Sequence, residues 1–341
     1  MISLSSLKNI DSKRMFEVYD KWPEIATEAY ENTDYTIEID KISHIVFAGM
    51  GGSGAIGDIF SSILSKKPIH VDVVKGYQLP KTVNSDTLVI PTSISGDTEE
   101  TVSILLEAMK LKSKIICFSS GGELEKICLK NKINHGKIEM KHSPRASFPI
   151  FLFSMLRTLE SNLPLEKIEI LNSLHELKTL RERISSKNIH ENNESISLAK
   201  WISNTPLIYY PEGLMAASTR FKNSLQENSK MHAITENVIE ACHNGIVSWK
   251  DNSDFKPILI QGKDDHFKTK QRWNILKEFF EIKRIDYKEI HSINGGILSK
   301  LINLIYFFDY STIYKAVIKG VDPTPVDPID FVKKSLRKNN I

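Results

Sequence analysis

The chain has 341 residues, 41% of them hydrophobic and 26% charged, with a formal net charge of +3. That length accommodates two domains of ordinary size, each with its own core, and the balance is that of a soluble globular protein. The small net charge does not suggest a nucleic-acid surface, which would show clustered Lys and Arg. No window approaches ~18 uninterrupted apolar residues, so neither a signal peptide nor a membrane span is expected.

Met15, Phe16, Tyr19, Trp22 and Ile25 recur at three- and four-residue steps and predict a helix over 12–32, which Pro23 breaks or restarts. Strand and helix signals then alternate: strand 44–48, helix 54–65, strand 69–74, strand 87–92, helix 98–111, strand 114–118, helix 122–130, a strand near 137–140 and a helix over 146–161. Apolar runs alternating with helices imply a parallel sheet covered on both faces. Residues 162–195 read as a polar linking helix and loop. A second alternation follows, with strands at 206–210, 257–261 and 285–290 and helices at 214–228, 267–281 and 297–318. The tail holds Pro323, Pro325 and Pro328 and leads into a short helix at 328–337. The expected organisation is an N-terminal domain over 1–160, a linker over 161–195 and a C-terminal domain over 196–341, both domains being α/β and doubly wound.

Two turns carry the chemistry. Gly49-Met50-Gly51-Gly52-Ser53-Gly54 follows the strand at 44–48, and Ser93-Ile94-Ser95-Gly96-Asp97-Thr98 follows the strand at 87–92. A strand, a glycine turn and a helix start leave N–H groups unpaired at the positive end of the helix dipole, which suits phosphate. Ser53, Ser93, Ser95 and Thr98 add neutral hydroxyl donors, so a phosphorylated small molecule is the expected ligand. Cys117, Cys128 and Cys242 have neither paired nor metal-ligand spacing, which points to a reducing, cytoplasmic setting. The ten histidines show no His-x-x-Glu-His pattern, and no metal or other cofactor is expected.

The first turn also satisfies Gly-x-Gly-x-x-Gly as Gly49, Gly51 and Gly54, with Asp72 in the next strand, so a nucleotide-dependent oxidoreductase is a competitor. The hydroxyl turn at 93–98, for which a dinucleotide domain has no standard use, decides against it. The two turns, with Glu99-Glu100-Thr101 and Pro144-Arg145, resemble the sugar isomerase (SIS) domain. More narrowly, Gln226-Glu227-Asn228-Ser229-Lys230, His243-Asn244 and Gly320-Val321-Asp322-Pro323-Thr324-Pro325-Val326 are similar to the bifunctional phosphoglucose/phosphomannose isomerases. Asp97 stands where that family commonly has Asn, and Gly245 where it has Glu.

The resemblance implies two SIS-type domains and an aldose–ketose isomerase acting on glucose 6-phosphate, mannose 6-phosphate and fructose 6-phosphate. It implies Glu227 as the base, Arg145 as the stabiliser of a cis-enediolate, His243 for ring opening and Lys333, or by a slip of one Lys334, near the ring oxygen. Gly51, Gly52, Ser53, Ser93, Ser95 and Thr98 would hold the phosphate, and Thr324 would neighbour C2. The histidine would come from a neighbouring subunit, so a homodimer with shared sites is implied. A non-catalytic sugar-phosphate-binding SIS protein is the alternative.

Overall fold

The computed structural model describes residues 2–33, 37, 39, 42–164, 166–251 and 253–339. The chain enters through three short helices, α1 (Leu4–Ile10), α2 (Met15–Asp20) and α3 (Trp22–Glu31). The single helix expected over 12–32 is thus two. Pro23 sits in the first turn of α3, where its missing N–H is harmless, and so it restarts the helix.

A parallel sheet follows, with β1 (His44–Ala48), β2 (His70–Val74), β3 (Leu88–Ser93), β4 (Lys114–Ser119) and β5 (Asn134–Lys137) in the order β2-β1-β3-β4-β5. Its helices are α4 (Gly51–Leu64), α5 (Glu99–Lys110), α6 (Gly122–Asn131) and α7 (Phe148–Thr158). The strand expected near 137–140 lies three residues earlier. Residues 134–137 are polar, because β5 is a short edge strand set by its pairing with Ile116–Ser119 rather than by its own side chains.

The stretch read as a polar linker contains α8 (Lys167–Ile184) and ends just inside α9 (Glu194–Trp201). α8 buries Ile170, Leu174, Leu177, Leu180 and Ile184 along one face, so it packs into the core beneath a polar exterior.

The second sheet holds β6 (Pro206–Tyr210), β7 (Ile234–Asn237), β8 (Lys256–Gln261) and β9 (Lys288–His291) in the order β7-β6-β8-β9, all parallel. β7, another short edge strand of mixed polarity, gave no signal in the sequence. The helices of this half are α10 (Met215–Ser229), α11 (Val238–Ala241), α12 (Phe267–Lys283), α13 (Ile297–Lys319) and α14 (Asp327–Asn339), with a 3₁₀ turn at Gly245–Lys250.

α13 is buried from Leu298 to Val317 and forms the shared spine. Its Tyr306 stacks on Trp22 of α3 at 5.4 Å between ring centroids, and Trp22 stacks on Tyr19 of α2 at 4.5 Å. The N-terminal helices therefore close the core against the last long helix. Among the described residues, no helix is long and apolar enough to cross a membrane.

Candidate active site

Both glycine turns lie at the carboxyl edge of the first sheet, where open α/β sheets bind ligands. Gly51 opens α4 in the left-handed region, at φ 54°, a conformation that glycine adopts without strain. Ser53 and Gly54 donate their N–H groups to the Met50 carbonyl at 3.0 and 3.2 Å, leaving those of Gly51 and Gly52 at the helix start.

The second turn is held from within. Ser93 Oγ accepts from the Gly96 N–H at 3.0 Å and lies 2.9 Å from Thr98 Oγ1. Gly96 has φ 81°, and a Cβ there would stand 1.8 Å from the Gly121 carbonyl oxygen, so any other residue would open the turn. Ser53 Oγ accepts from the Ile94 N–H at 3.3 Å and ties the two turns together.

From the other half comes the end of α10. Arg145, only 5% exposed, donates from Nε to Asn228 Oδ1 at 2.6 Å and from NH1 to Glu227 Oε2 at 3.3 Å. Its NH2 donates to the carbonyls of Pro323 and Thr324 at 2.6 and 2.8 Å. A guanidinium with these partners has little freedom, and it presents a fixed cation beside a carboxylate.

These groups surround a cavity of about 460 Å³ whose lining includes Gly51, Gly52, Ser53, Ser95, Thr98, Arg145, Glu227 and Lys333. Ile329, Val332 and Leu336 of α14 add an apolar wall. The volume suits a small polar metabolite. Eight of the eleven anticipated residues thus meet around one space, and Lys333, not Lys334, reaches it.

The other three stand elsewhere. Ser93 is buried one layer behind, inside the turn. Thr324 turns its hydroxyl toward Asp11 at 3.5 Å, and its carbonyl, not its side chain, engages Arg145. His243 is exposed just after α11 and does not line this cavity.

Acidic neighbours are partly committed. Asp97 Oδ1 accepts from the Glu123 N–H at 3.0 Å, so its charge is directed at the start of α6. Asp72, which would mark a ribose site, instead lies mid-strand, with Oδ2 at 2.9 Å from His44 Nε2. Just past the carboxyl end of β2 stands Lys75, which pairs with Asp58 at 2.6 Å. No ribose-binding carboxylate is therefore presented at that edge, against the dinucleotide reading.

Comparison with known proteins agrees with this geometry. The family descriptions "SIS domain" and "bacterial phospho-glucose isomerase C-terminal SIS domain" match residues 38–156 and 191–336. The chain is 31% identical over 335 residues to a bifunctional phosphoglucose/phosphomannose isomerase of Caldicellulosiruptor bescii, covering 94% of this chain and 98% of that one. The chain belongs to the bifunctional phosphoglucose/phosphomannose isomerase family. A Thermoplasma volcanium protein of the same name is 30% identical over 309 residues, covering 89% and 94% of the two chains. A hypothetical protein of Thermus thermophilus shares the fold at a TM-score of 0.76 and 13% identity, over 98% of this chain and 94% of that one.

Behind the site of this family member lies a buried ion pair that the sequence reading did not single out. Arg220 NH2 donates to Asp309 Oδ2 at 2.7 Å, the two side chains being 2% and 0% exposed. The same NH2 donates to the Arg145 carbonyl at 2.8 Å, and Ser224 Oγ donates to Asp309 Oδ1 at 2.5 Å. Burial opposes the charge on Arg220, but Asp309 outweighs it and raises the guanidinium's affinity for its proton. A lone Asp within the apolar run of α13 was the available signal. Its partner, 89 residues earlier, was not readable.

Lys230, the left-handed cap of α10, donates to the Pro325 carbonyl at 2.8 Å and helps hold the 323–325 loop. Burial, with the Arg145 guanidinium nearby, holds its ammonium below the usual lysine range.

Proposed function

We propose that this protein is an aldose–ketose isomerase that interconverts glucose 6-phosphate and mannose 6-phosphate with fructose 6-phosphate. The observation that carries the reading is the Arg145–Glu227 pair at 3.3 Å, on the wall of the same cavity as the two hydroxyl and glycine turns. Those turns offer Ser53, Ser95, Thr98 and the N–H groups of Gly51 and Gly52 to the phosphate. The C1–C2 end then lies toward Glu227.

In the forward direction the Glu227 carboxylate takes the proton from C2 of the open aldose. The electron pair becomes the C1–C2 double bond, and negative charge grows on the carbonyl oxygen, where Arg145 offsets it. Glu227 returns the proton to C1, and the O2 hydroxyl passes its proton to O1, so that C2 becomes the ketone and C1 the hydroxymethyl group. Both aldoses lose their C2 stereocentre in the same intermediate, so one base serves both. Lys333 faces the ring oxygen and hydroxyls, and its neighbour Val332 lines the same side of the cavity.

His243 would open the ring from the neighbouring subunit of a homodimer, a reading supported by its exposure and its place outside this chain's own cavity. The chemistry needs no nucleotide and no metal ion, because fixed hydroxyl, N–H and guanidinium donors handle both the phosphate and the enediolate. A reducing cytoplasm suits the free Cys117, Cys128 and Cys242.

Product analysis tests the reading. Mannose 6-phosphate and glucose 6-phosphate, each supplied alone to chelator-treated protein, should both give fructose 6-phosphate. Conversion of glucose 6-phosphate alone would leave a single-substrate isomerase, and conversion of neither would overturn the assignment.

A further inference from the structure

At the amino edge of the first sheet, roughly 15 Å along the strands from the cavity, a second cluster of functional groups is assembled. His44 opens β1 and His70 opens β2, directly across from it in register, with Asp72 two residues on along the same face. Asp72 Oδ2 lies 2.9 Å from His44 Nε2 and 3.3 Å from His70 Nε2, and one donor atom from each residue falls within 4.8 Å of the others. The sequence alone hides this set, because its members are 26 and 2 residues apart and meet only through strand pairing.

We propose that His44, His70 and Asp72 form a zinc-binding site. Two imidazoles and a carboxylate are a borderline donor set that suits Zn²⁺. Bonds of about 2.0–2.1 Å in a tetrahedron place neighbouring donors roughly 3.3 Å apart, close to the 2.9 and 3.3 Å from Asp72 to each imidazole, and the two imidazole donors, within 4.8 Å of each other, reach that spacing by rotation of the exposed His70. A supporting shell is also present. His44 Nδ1 lies 3.3 Å from Thr87 Oγ1, and Thr87 Oγ1 in turn accepts from the Asn84 N–H at 3.1 Å. A hydrogen bond on the far nitrogen fixes the ring and leaves Nε2 to the metal, as is usual for ligating histidines. Binding replaces the proton that His44 Nε2 shares with Asp72, and that proton leaves to solvent. With three protein ligands, water completes the shell.

The site would clip β2, an edge strand, to β1 at the end farthest from catalysis. His44 is largely enclosed, with 13% of its side chain exposed, whereas His70 at 65% leaves a route for the ion to enter.

Untagged full-length protein titrated with Zn²⁺ in a calorimeter, and with Co²⁺ as a spectroscopic probe, tests this. One ion per chain should bind in the micromolar range, with the visible bands of tetrahedral cobalt, and the melting midpoint should rise by roughly 2–4 °C at saturating zinc. His70→Ala and Asp72→Ala, both at exposed or half-exposed positions, should weaken binding at least tenfold, remove the cobalt bands and abolish the thermal shift. Their zinc-free melting and turnover should match the parent. Stoichiometric binding that survives both substitutions would place the ion elsewhere, and no binding below millimolar zinc would also overturn the proposal.

Discussion

Strand for strand, β2-β1-β3-β4 and β7-β6-β8-β9 follow the same parallel order, yet their carboxyl edges differ in chemistry. After β1 and β3 come the glycine and hydroxyl turns. After β6 and β8 come Pro211-Glu212-Gly213-Leu214 and Gly262-Lys263-Asp264-Asp265-His266. In the second half an internal carboxylate fills the turn: Asp265 Oδ2 accepts from the Gly262 N–H at 3.0 Å and from Trp273 Nε1 at 2.9 Å. In the first half the donors face a cavity. The larger cavity, about 790 Å³, belongs to the second half, where Lys263, Lys288 and His291 are interleaved with Glu176, Glu191 and Glu289. Volume and topology are thus shared or even favour the second edge. Donors left free by the turn distinguish the first, while the second half supplies Glu227 and the helix that covers the site.

That division of labour can be broken at several points. The largest effect should come from the proposed base, Glu227. Glu227→Gln keeps the shape and a hydrogen bond to Arg145, so sugar-phosphate binding should persist while turnover falls by ~10²–10⁴. Solvent isotope exchange at C2 is the measurement, and exchange at the parent rate would assign the base to another residue. Next is the pair behind the site. Asp309→Asn leaves Arg220 buried without a counter-charge, and denaturant unfolding should show a loss of about 3–5 kcal/mol.

On the first edge, Ser95→Ala and Thr98→Ala each remove a donor to a charged group, worth ~1.5–3 kcal/mol. Substrate affinity should drop roughly ten- to a hundredfold in each. Unchanged affinity in both would remove the phosphate from this turn. The smallest effect belongs to the other edge. Lys263→Ala alters an exposed residue of the larger cavity, and kcat/KM should stay within about twofold, the usual range for a surface change. A tenfold loss there would mean that the second edge takes part in the reaction.

The strands and helices that make the two sheets were legible because β1, β3, β6 and β8 are apolar, buried runs followed by glycine or hydroxyl turns. β5 and β7 were misplaced or missed, since short polar edge strands take their conformation from a neighbour. The cavity residues on the first edge were legible for the same local reason, their spacing being contained within six positions. Ser93 and Thr324 illustrate the limit. Their residue types fit a ligand role, but side-chain direction depends on the turn's own hydrogen bonds in one case and on Asp11 in the other. Asn228, Arg220 and Asp309 act through partners 83 to 89 residues away, which no local pattern reveals.

Arg145 is clasped by the carbonyls of Pro323 and Thr324, and Lys333 follows a few residues later. A ribosome adds these residues long after Gly51, Ser95 and Arg145, and only once both sheets have been made. A nascent chain can therefore complete its first sheet well before it can turn over a molecule of substrate. On the roles proposed for Arg145 and Lys333, catalytic competence would arrive only when the later segment has cleared the exit tunnel and folded back. On that reading a premature stop near codon 320 would spare both sheets and yield an inert product, so enzymatic output would report on translation carried past the second sheet.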